Sequence, residues 1–114
     1  MFKKLKPKEK EIFNLASRFL VEFLGEDVKV YAFGSRVIKG KKGEKHDFDI
    51  IVDISKVEKH EKLQGRHLSR LFEALNPELK DDEGRLIRKD VKIDIQFAGE
   101  QKIESNKIKL YPNG

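Results

Sequence analysis

The chain has 114 residues and a mass of 13.3 kDa, enough for one domain with a single core but too little for a catalytic domain plus a separate substrate domain. It carries 25 Lys and Arg against 20 Asp and Glu, and the resulting charge of +5 is compatible with an anionic partner, although most of these charges are expected on a solvated surface. It contains no cysteine, no apolar segment of membrane-spanning length and no signal-peptide pattern, so disulfides and thiolate metal sites are excluded and a cytoplasmic protein with no membrane partner is expected.

The first predicted element is an amphipathic helix over residues 8 to 24, followed by Gly25 where a C-terminal cap belongs. Its apolar side chains recur at helical spacing: Ile12, Leu15, Ala16, Phe19, Leu20, Phe23 and Leu24. Core packing explains this stripe better than a ligand site does.

Three later segments have the composition of strands. Residues 27 to 33 (DVKVYAF) are β-branched and aromatic and lead directly into Gly34-Ser35. Residues 48 to 54 (FDIIVDI) form the second predicted strand, and residues 91 to 97 (VKIDIQF) form a third with strict alternation of apolar and polar side chains. Each of the last two contains an aspartate among apolar residues.

A helix is predicted across most of residues 57 to 75, before Pro77, and residues 81 to 90 read as a turn-rich connector with a short strand at residues 86 and 87. An edge strand is expected at residues 108 to 111. This order predicts a single α/β (α+β) domain over residues 1 to 114, with a small mixed β-sheet flanked by helices. The pairing direction of the first two strands cannot be read from the sequence.

Asp47 and Asp49 raise the main functional question, because aspartate is depleted in strands. Residues at i and i+2 of a strand share a face, with backbones about 7 Å apart, so their carboxylates can converge. Converging carboxylates repel unless one is protonated or a cation compensates them, and Mg²⁺ bound by carboxylates and substrate phosphates is such a cation. Asp94 would supply a third ligand, and three carboxylates can hold two ions about 4 Å apart.

Simpler roles compete with the metal site. Asp47 could cap a strand end, Asp49 could pair with a loop lysine, and Asp94 could face water; for Asp94 alone this alternative is as good as the metal role. It is weaker for the pair Asp47 and Asp49, because the apolar run at residues 50 to 52 follows at once. Asp53 reads as an exposed strand end.

Gly34-Ser35 indicates a second kind of binding site, one for an anion. Glycine lets a backbone approach a ligand closely, and serine at the start of a turn can donate to an anion held by free N–H groups. The pair is therefore a candidate phosphate cradle, on the strength of its position after a buried strand.

These motifs, YAFGSR at residues 31 to 36, HDFDIIV at 46 to 52 and VKIDIQF at 91 to 97, together resemble the DNA polymerase beta-type nucleotidyltransferase superfamily, and at this length its minimal nucleotidyltransferase branch. The resemblance implies the family's mixed sheet flanked by helices. It also implies attack of an acceptor hydroxyl on the α-phosphate of a nucleoside triphosphate, expected to be ATP, with release of pyrophosphate.

The resemblance implies a role for each motif residue. Gly34 and Ser35 would hold the β and γ phosphates of the nucleotide. Asp47 and Asp49 would bind two Mg²⁺ ions, and Asp94 would be the third carboxylate of the metal site, which in the family helps to activate the attacking hydroxyl.

Arg36 matches the basic, nucleotide-binding residue often seen after Gly-Ser, but the loop that follows departs from the family. Many minimal members continue with a small residue, Arg-Gly and then Ser before the first Asp, where this chain has VIKGKKGEKH. Lys39-Gly40 would replace the Arg-Gly, and His46 stands where Ser is common. The loop lysines could attract a triphosphate, although a solvated loop explains each of them individually.

No acceptor-binding domain is evident, so the resemblance implies a protein or RNA acceptor from elsewhere. Minimal nucleotidyltransferases are often encoded with a helical HEPN-type partner, and some are antitoxins that transfer AMP to it. An antitoxin or regulatory binding subunit with weak or no turnover is therefore the alternative function, and a small basic RNA-binding domain has less support. His60 and His67, seven residues apart, suit surface or packing roles better than a metal site. Nucleotide preference and homo-oligomer formation are left open.

Overall fold

The computed structural model describes residues 4–38, 47–57, 63–98 and 107–112. In chain order the elements are α1 (Pro7–Leu24), β1 (Lys29–Phe33), β2 (Phe48–Asp53), α2 (Gly65–Leu75), β3 (Ile93–Phe97) and β4 (Ile108–Tyr111). The strands form one four-stranded sheet in the order β3-β2-β1-β4. The α+β class predicted from the sequence is confirmed.

The sheet is mixed, since β1 is antiparallel to both β2 and β4 whereas β2 is parallel to β3. Parallel neighbours need a crossover connection, and α2 lies in the connection between β2 and β3. The register sets Phe33 of β1 opposite Asp49 of β2, and Asp49 beside Asp94 of β3. The predicted edge strand is therefore β4, next to β1.

One face of the sheet packs against both helices. Phe48, Ile50 and Val52 alternate into this core, which is why β2 reads as a buried strand despite its aspartates. The rings of Phe13 in α1 and Phe48 meet edge to face with centroids 5.0 Å apart. The opposite face, called the aspartate face below, carries the partly or fully exposed Phe33, Asp49, Ile51, Asp94 and Gln96.

The second helix, predicted across most of residues 57 to 75, begins at Gly65 and covers the later part of that range. The N–H of Val57 donates to the carbonyl of Ile54 in a turn, and residues 58–62 lie outside the described residues. Gly65 brings α2 against β3 so closely that a Cβ built on it would overlap the carbonyl oxygen of Ile95. The glycine therefore serves tertiary packing, which helical periodicity does not reveal.

The connector between α2 and β3 is turn-rich, as predicted, but the short strand expected at residues 86 and 87 is replaced by isolated bridges of Leu86 with Lys80 and of Ile87 with Val91. The carboxylate of Asp81 accepts the main-chain N–H groups of Glu83 and Arg85 at 3.0 and 2.9 Å.

Within the described part of the chain, no helix has both the length and the apolar composition needed to cross a membrane.

Candidate functional site

Asp49 and Asp94 are direct neighbours across the parallel pair of β2 and β3. Adjacent strands lie about 4.8 Å apart, and partners in register project to the same side of the sheet, so both side chains share the aspartate face. Both are partly exposed to solvent. The pairing therefore joins two residues that are far apart in the chain.

Asp47 lies just before β2, two residues from Asp49, with Phe48 turned into the core between them. Its Oδ1 accepts the main-chain N–H of Lys92 at 3.4 Å, which ties it to the start of β3. The three predicted carboxylates thus come from the same end of two adjacent strands.

Gly34 borders this end of the sheet, directly after β1. Its φ of +84° is in the left-handed region that favours glycine. A Cβ at this position would overlap Oδ2 of Asp49 and lie 3.0 Å from its Cγ. The carbonyl of Gly34 accepts the N–H groups of Val37 and Ile38 at 3.1 and 3.0 Å, so Ser35 lies within a tight turn beside the Asp49 carboxylate.

The guanidinium of Arg36 lies on the core face of the sheet, on which α1 packs, and not on the aspartate face. Its guanidinium donates to Oε2 of Glu9 and to Oδ2 of Asp81, both at 3.1 Å, and lies 3.9 Å from the centroid of the Phe48 ring. Its side chain is 10% exposed and that of Asp81 is fully enclosed. These contacts anchor the turn after Gly34, and a nucleotide contact from Arg36 stays a prediction.

Against the effect of burial, hydrogen bonds lower the pKa values of Asp81 and Asp53. Burial raises the pKa of Asp81, but hydrogen bonds from Arg85, Arg36 and the Glu83 main chain outweigh this effect and hold it below its usual range. Burial likewise acts to raise the pKa of Asp53, and hydrogen bonds from Ser55 with nearby lysine charges lower it on balance. Ser55 N–H donates to Asp53 at 2.9 Å, so Asp53 closes a turn at the strand end.

The fit of the three carboxylates to Mg²⁺ depends on their arrangement. No three potential ligand side chains already converge on one point among the described residues. Asp94 Oδ2 instead accepts the side-chain amide of Gln96 at 3.1 Å. The donor set is nevertheless the one that a hard cation prefers, and Gly34 provides a cradle beside Asp49 that any Cβ would fill. Asp47, Asp49 and Asp94 suit a hard cation by donor type, but their side chains are not grouped as a metal site, so magnesium binding stays a prediction.

Sequence reasoning missed a groove of about 430 Å³ between α2 and the start of β3, called the α2–β3 groove below. Three carboxylates, Asp47, Glu73 and Asp94, line it together with four basic side chains, Arg66, Arg70, Arg88 and Lys92. The spacing of Arg66 and Arg70 on one helical face was the one signal of it in the sequence.

Some predicted residues fall outside the described part of the chain. These are Lys39 and the rest of the lysine-rich loop, His46 and His60. His67 is exposed on α2.

Comparisons of the chain with protein-family models, curated proteins and solved structures each gave no match. The resemblance to minimal nucleotidyltransferases therefore stays a prediction that depends on the three motifs and on the neighbouring positions of Gly34, Asp49 and Asp94.

Proposed function

We propose that this chain is a Mg²⁺-dependent nucleotidyltransferase that transfers a nucleoside monophosphate, AMP from ATP, to a hydroxyl of a protein or RNA acceptor. The observation that carries the proposal is the register of three strands. It sets Asp49 beside Asp94 on one side and against the backbone of Gly34 on the other. A carboxylate pair next to a tight glycine turn suits a substrate that brings both a metal ion and phosphates.

In the proposed reaction the turn at Gly34 and Ser35 binds the outer phosphates of ATP. Asp47, Asp49 and Asp94 would hold Mg²⁺, which when bound neutralises the charge of the phosphate oxygens and of pyrophosphate. The acceptor oxygen attacks the α-phosphorus, and a new P–O bond forms as the bond to the bridging oxygen breaks. Pyrophosphate leaves with that electron pair.

Asp94 is the proposed acceptor of the hydroxyl proton. The amide of Gln96 donates to Oδ2 of Asp94 and so orients the carboxylate along the aspartate face.

We also place the reaction in the cytoplasm, in keeping with a chain that has no cysteine.

A second candidate is an antitoxin or regulatory binding subunit of a helical HEPN-type partner, with weak or no turnover. It is favoured by large apolar side chains left exposed on the helices, Phe23 at 50% and Leu75 at 62%. Such surfaces also suit a homo-oligomer.

The proposal is tested by incubating the protein with Mg²⁺ and ATP labelled on the α-phosphate, together with RNA or a helical protein encoded beside it. Label should pass to an acceptor with the wild type and with Asp53→Asn, a control on the same strand face. Asp49→Asn and Asp94→Asn should abolish the transfer. Transfer at the wild-type rate by Asp49→Asn would exclude the proposed mechanism. Stable binding of the helical protein without any transfer would favour the second candidate.

A further inference from the structure

Four basic side chains and three carboxylates line the α2–β3 groove, and the proposed chemistry uses two of the carboxylates but none of the cations. Arg66 and Arg70 lie one helical turn apart on α2, Arg88 lies in the connector, and Lys92 lies just before β3. All four are exposed. Like charges at i and i+4 of a helix destabilise it slightly, so Arg66 and Arg70 are arranged unfavourably for the helix alone.

These four side chains differ from the arginines that stabilise the fold. Arg36 and Arg85 both form ion pairs with Asp81, at 3.1 and 2.9 Å. Across residues 4–38, 47–57, 63–98 and 107–112, by contrast, no carboxylate lies within ion-pairing distance of the four groove cations. Within that part of the chain the groove cations line the same cavity as Asp47, Glu73 and Asp94 without forming an ion pair with them.

The walls of the groove are built from satisfied polar groups. Ser69 Oγ accepts the N–H of Ile95 at 2.9 Å and donates to the carbonyl of Gly65 at 3.1 Å. Glu73 accepts the N–H of Ile93 at 3.4 Å, so its carboxylate is engaged by the outer edge of β3. The helix is thereby fixed against the strand, which holds the basic side chains of α2 beside Asp94.

Arg88 adds a further mark of the site. Its φ of +96° makes it the one non-glycine residue with a left-handed backbone among the described residues. Such a conformation costs about 1–3 kcal/mol and is concentrated at functional positions. In this chain it belongs to a residue whose side chain lines the groove.

The groove lies on the other side of Asp49 from the glycine turn. In the strand order β3-β2-β1-β4, Gly34 follows β1 and the groove adjoins β3, with Asp49 on the strand between them. If the nucleotide phosphates bind at Gly34, then the groove faces whatever approaches Asp94 from the opposite direction. A groove in that position suits the acceptor of the proposed transfer.

We propose that the α2–β3 groove binds the phosphodiester backbone of a single-stranded RNA acceptor, with a ribose hydroxyl of the strand directed to Asp94. This inference depends on the proposed function and names its acceptor class. Guanidinium groups match phosphate oxygens bidentately, and three of the four cations are arginines. A nucleic-acid strand brings a regular row of phosphates next to its hydroxyl, which matches a row of four cations better than an isolated protein hydroxyl does.

Fluorescence anisotropy with a 5′-labelled single-stranded RNA dodecamer tests the groove without metal or ATP, in EDTA and over a range of salt concentrations. If three or four phosphates are neutralised, the logarithm of the binding constant should fall with that of the salt concentration with a slope of about −2 to −3. The double variant Arg66→Gln/Arg70→Gln should weaken binding at least about tenfold and reduce the slope by about 1.4. Lys10→Gln/Arg18→Gln, which removes two exposed charges from α1, should change it less than about threefold.

Equal losses in the two double variants would overturn the proposal, because binding would then follow overall charge. Absence of RNA binding by the wild type at low salt would also overturn it, as would displacement of the RNA by an oligoglutamate peptide of equal charge. The result is separable from the proposed function. RNA binding in the groove without AMP transfer to any acceptor supports the RNA-binding proposal and contradicts the nucleotidyltransferase activity. AMP transfer to a protein without RNA binding supports the activity and contradicts the RNA-binding proposal.

Discussion

Gly34 offers the sharpest perturbation of the site, because the structure supplies a matched control for it. Gly34 and Gly84 both have left-handed backbones, with φ of +84° and +77°. A Cβ on Gly84 would meet nothing within 4 Å, whereas one on Gly34 would overlap Oδ2 of Asp49. Alanine at either position therefore introduces the same backbone strain, but only Gly34→Ala also displaces a carboxylate.

Backbone strain lowers stability in both variants, whereas displacement of the Asp49 carboxylate affects only Gly34→Ala. A left-handed alanine costs about 1–2 kcal/mol, so both variants should lose that much free energy of unfolding. For a domain of this size, each kcal/mol lowers Tm by about 4 °C. Gly34→Ala should lose more, because its Cβ would also lie 3.0 Å from Cγ and 3.2 Å from Cβ of Asp49, so rotation of the carboxylate alone does not clear the space.

Thermal unfolding and calorimetric titration with ATP in the presence of Mg²⁺ separate these effects. Gly84→Ala should bind ATP like the wild type, whereas Gly34→Ala should bind at least about tenfold more weakly, a loss of about 1.4 kcal/mol. Equal Tm values together with unchanged ATP affinity in the two variants would refute the close packing of Gly34 on Asp49.

Three further predictions concern the scaffold. Arg36→Met leaves the enclosed Asp81 without one of its partners and should lower the free energy of unfolding by about 3 kcal/mol in urea titrations, whereas Arg18→Met on the surface should leave it nearly unchanged. Ser69→Ala leaves the buried N–H of Ile95 without its hydrogen bond and should cost about 1–3 kcal/mol in the same assay; a loss below about 0.5 kcal/mol would contradict this bond. Because the folded pKa of Asp81 lies below its ordinary value of 3.8, the stabilisation from its charged form is complete above that pH and is lost as the pH falls through the folded pKa. The urea concentration at the unfolding midpoint should therefore decrease when the pH is lowered below about 4. A midpoint that stays constant or increases would show that Asp81 is not stabilised in its charged form.

Local patterns predicted the elements well wherever the pattern itself decides the structure. The helix expected over residues 8 to 24 is α1, and the strands at residues 27–33, 48–54 and 91–97 correspond to β1, β2 and β3 with shorter ends. Their apolar periodicity reports which side chains enter the core, and that core forms as expected. The helix expected across most of residues 57 to 75 is α2, and its exact first residue depends on the close contact of Gly65 with the backbone of Ile95, which the helical pattern does not show.

The candidate site divides in the same way. That Asp47 and Asp49 share a face follows from strand geometry, but the adjacency of Asp49 and Asp94 requires the parallel pairing of β2 and β3, which the sequence does not announce. The ion pairs of Arg36 were missed for the same reason, since Glu9 and Asp81 lie 27 and 45 residues away. Contacts between residues far apart in the chain cannot be inferred from a local sequence pattern, whereas the buried face of a helix or strand can.

The coupling of ATP binding to Mg²⁺ shows whether Asp49 belongs to a metal-dependent nucleotide site. Calorimetric titration of the wild type with ATP should give an affinity at least about tenfold higher with Mg²⁺ than with EDTA. Asp49→Asn should lose this difference, and Asp53→Asn, on the same strand face, should keep it. Equal affinity of the wild type with and without Mg²⁺, or full coupling in Asp49→Asn, would contradict Mg²⁺-dependent nucleotide binding at Asp49.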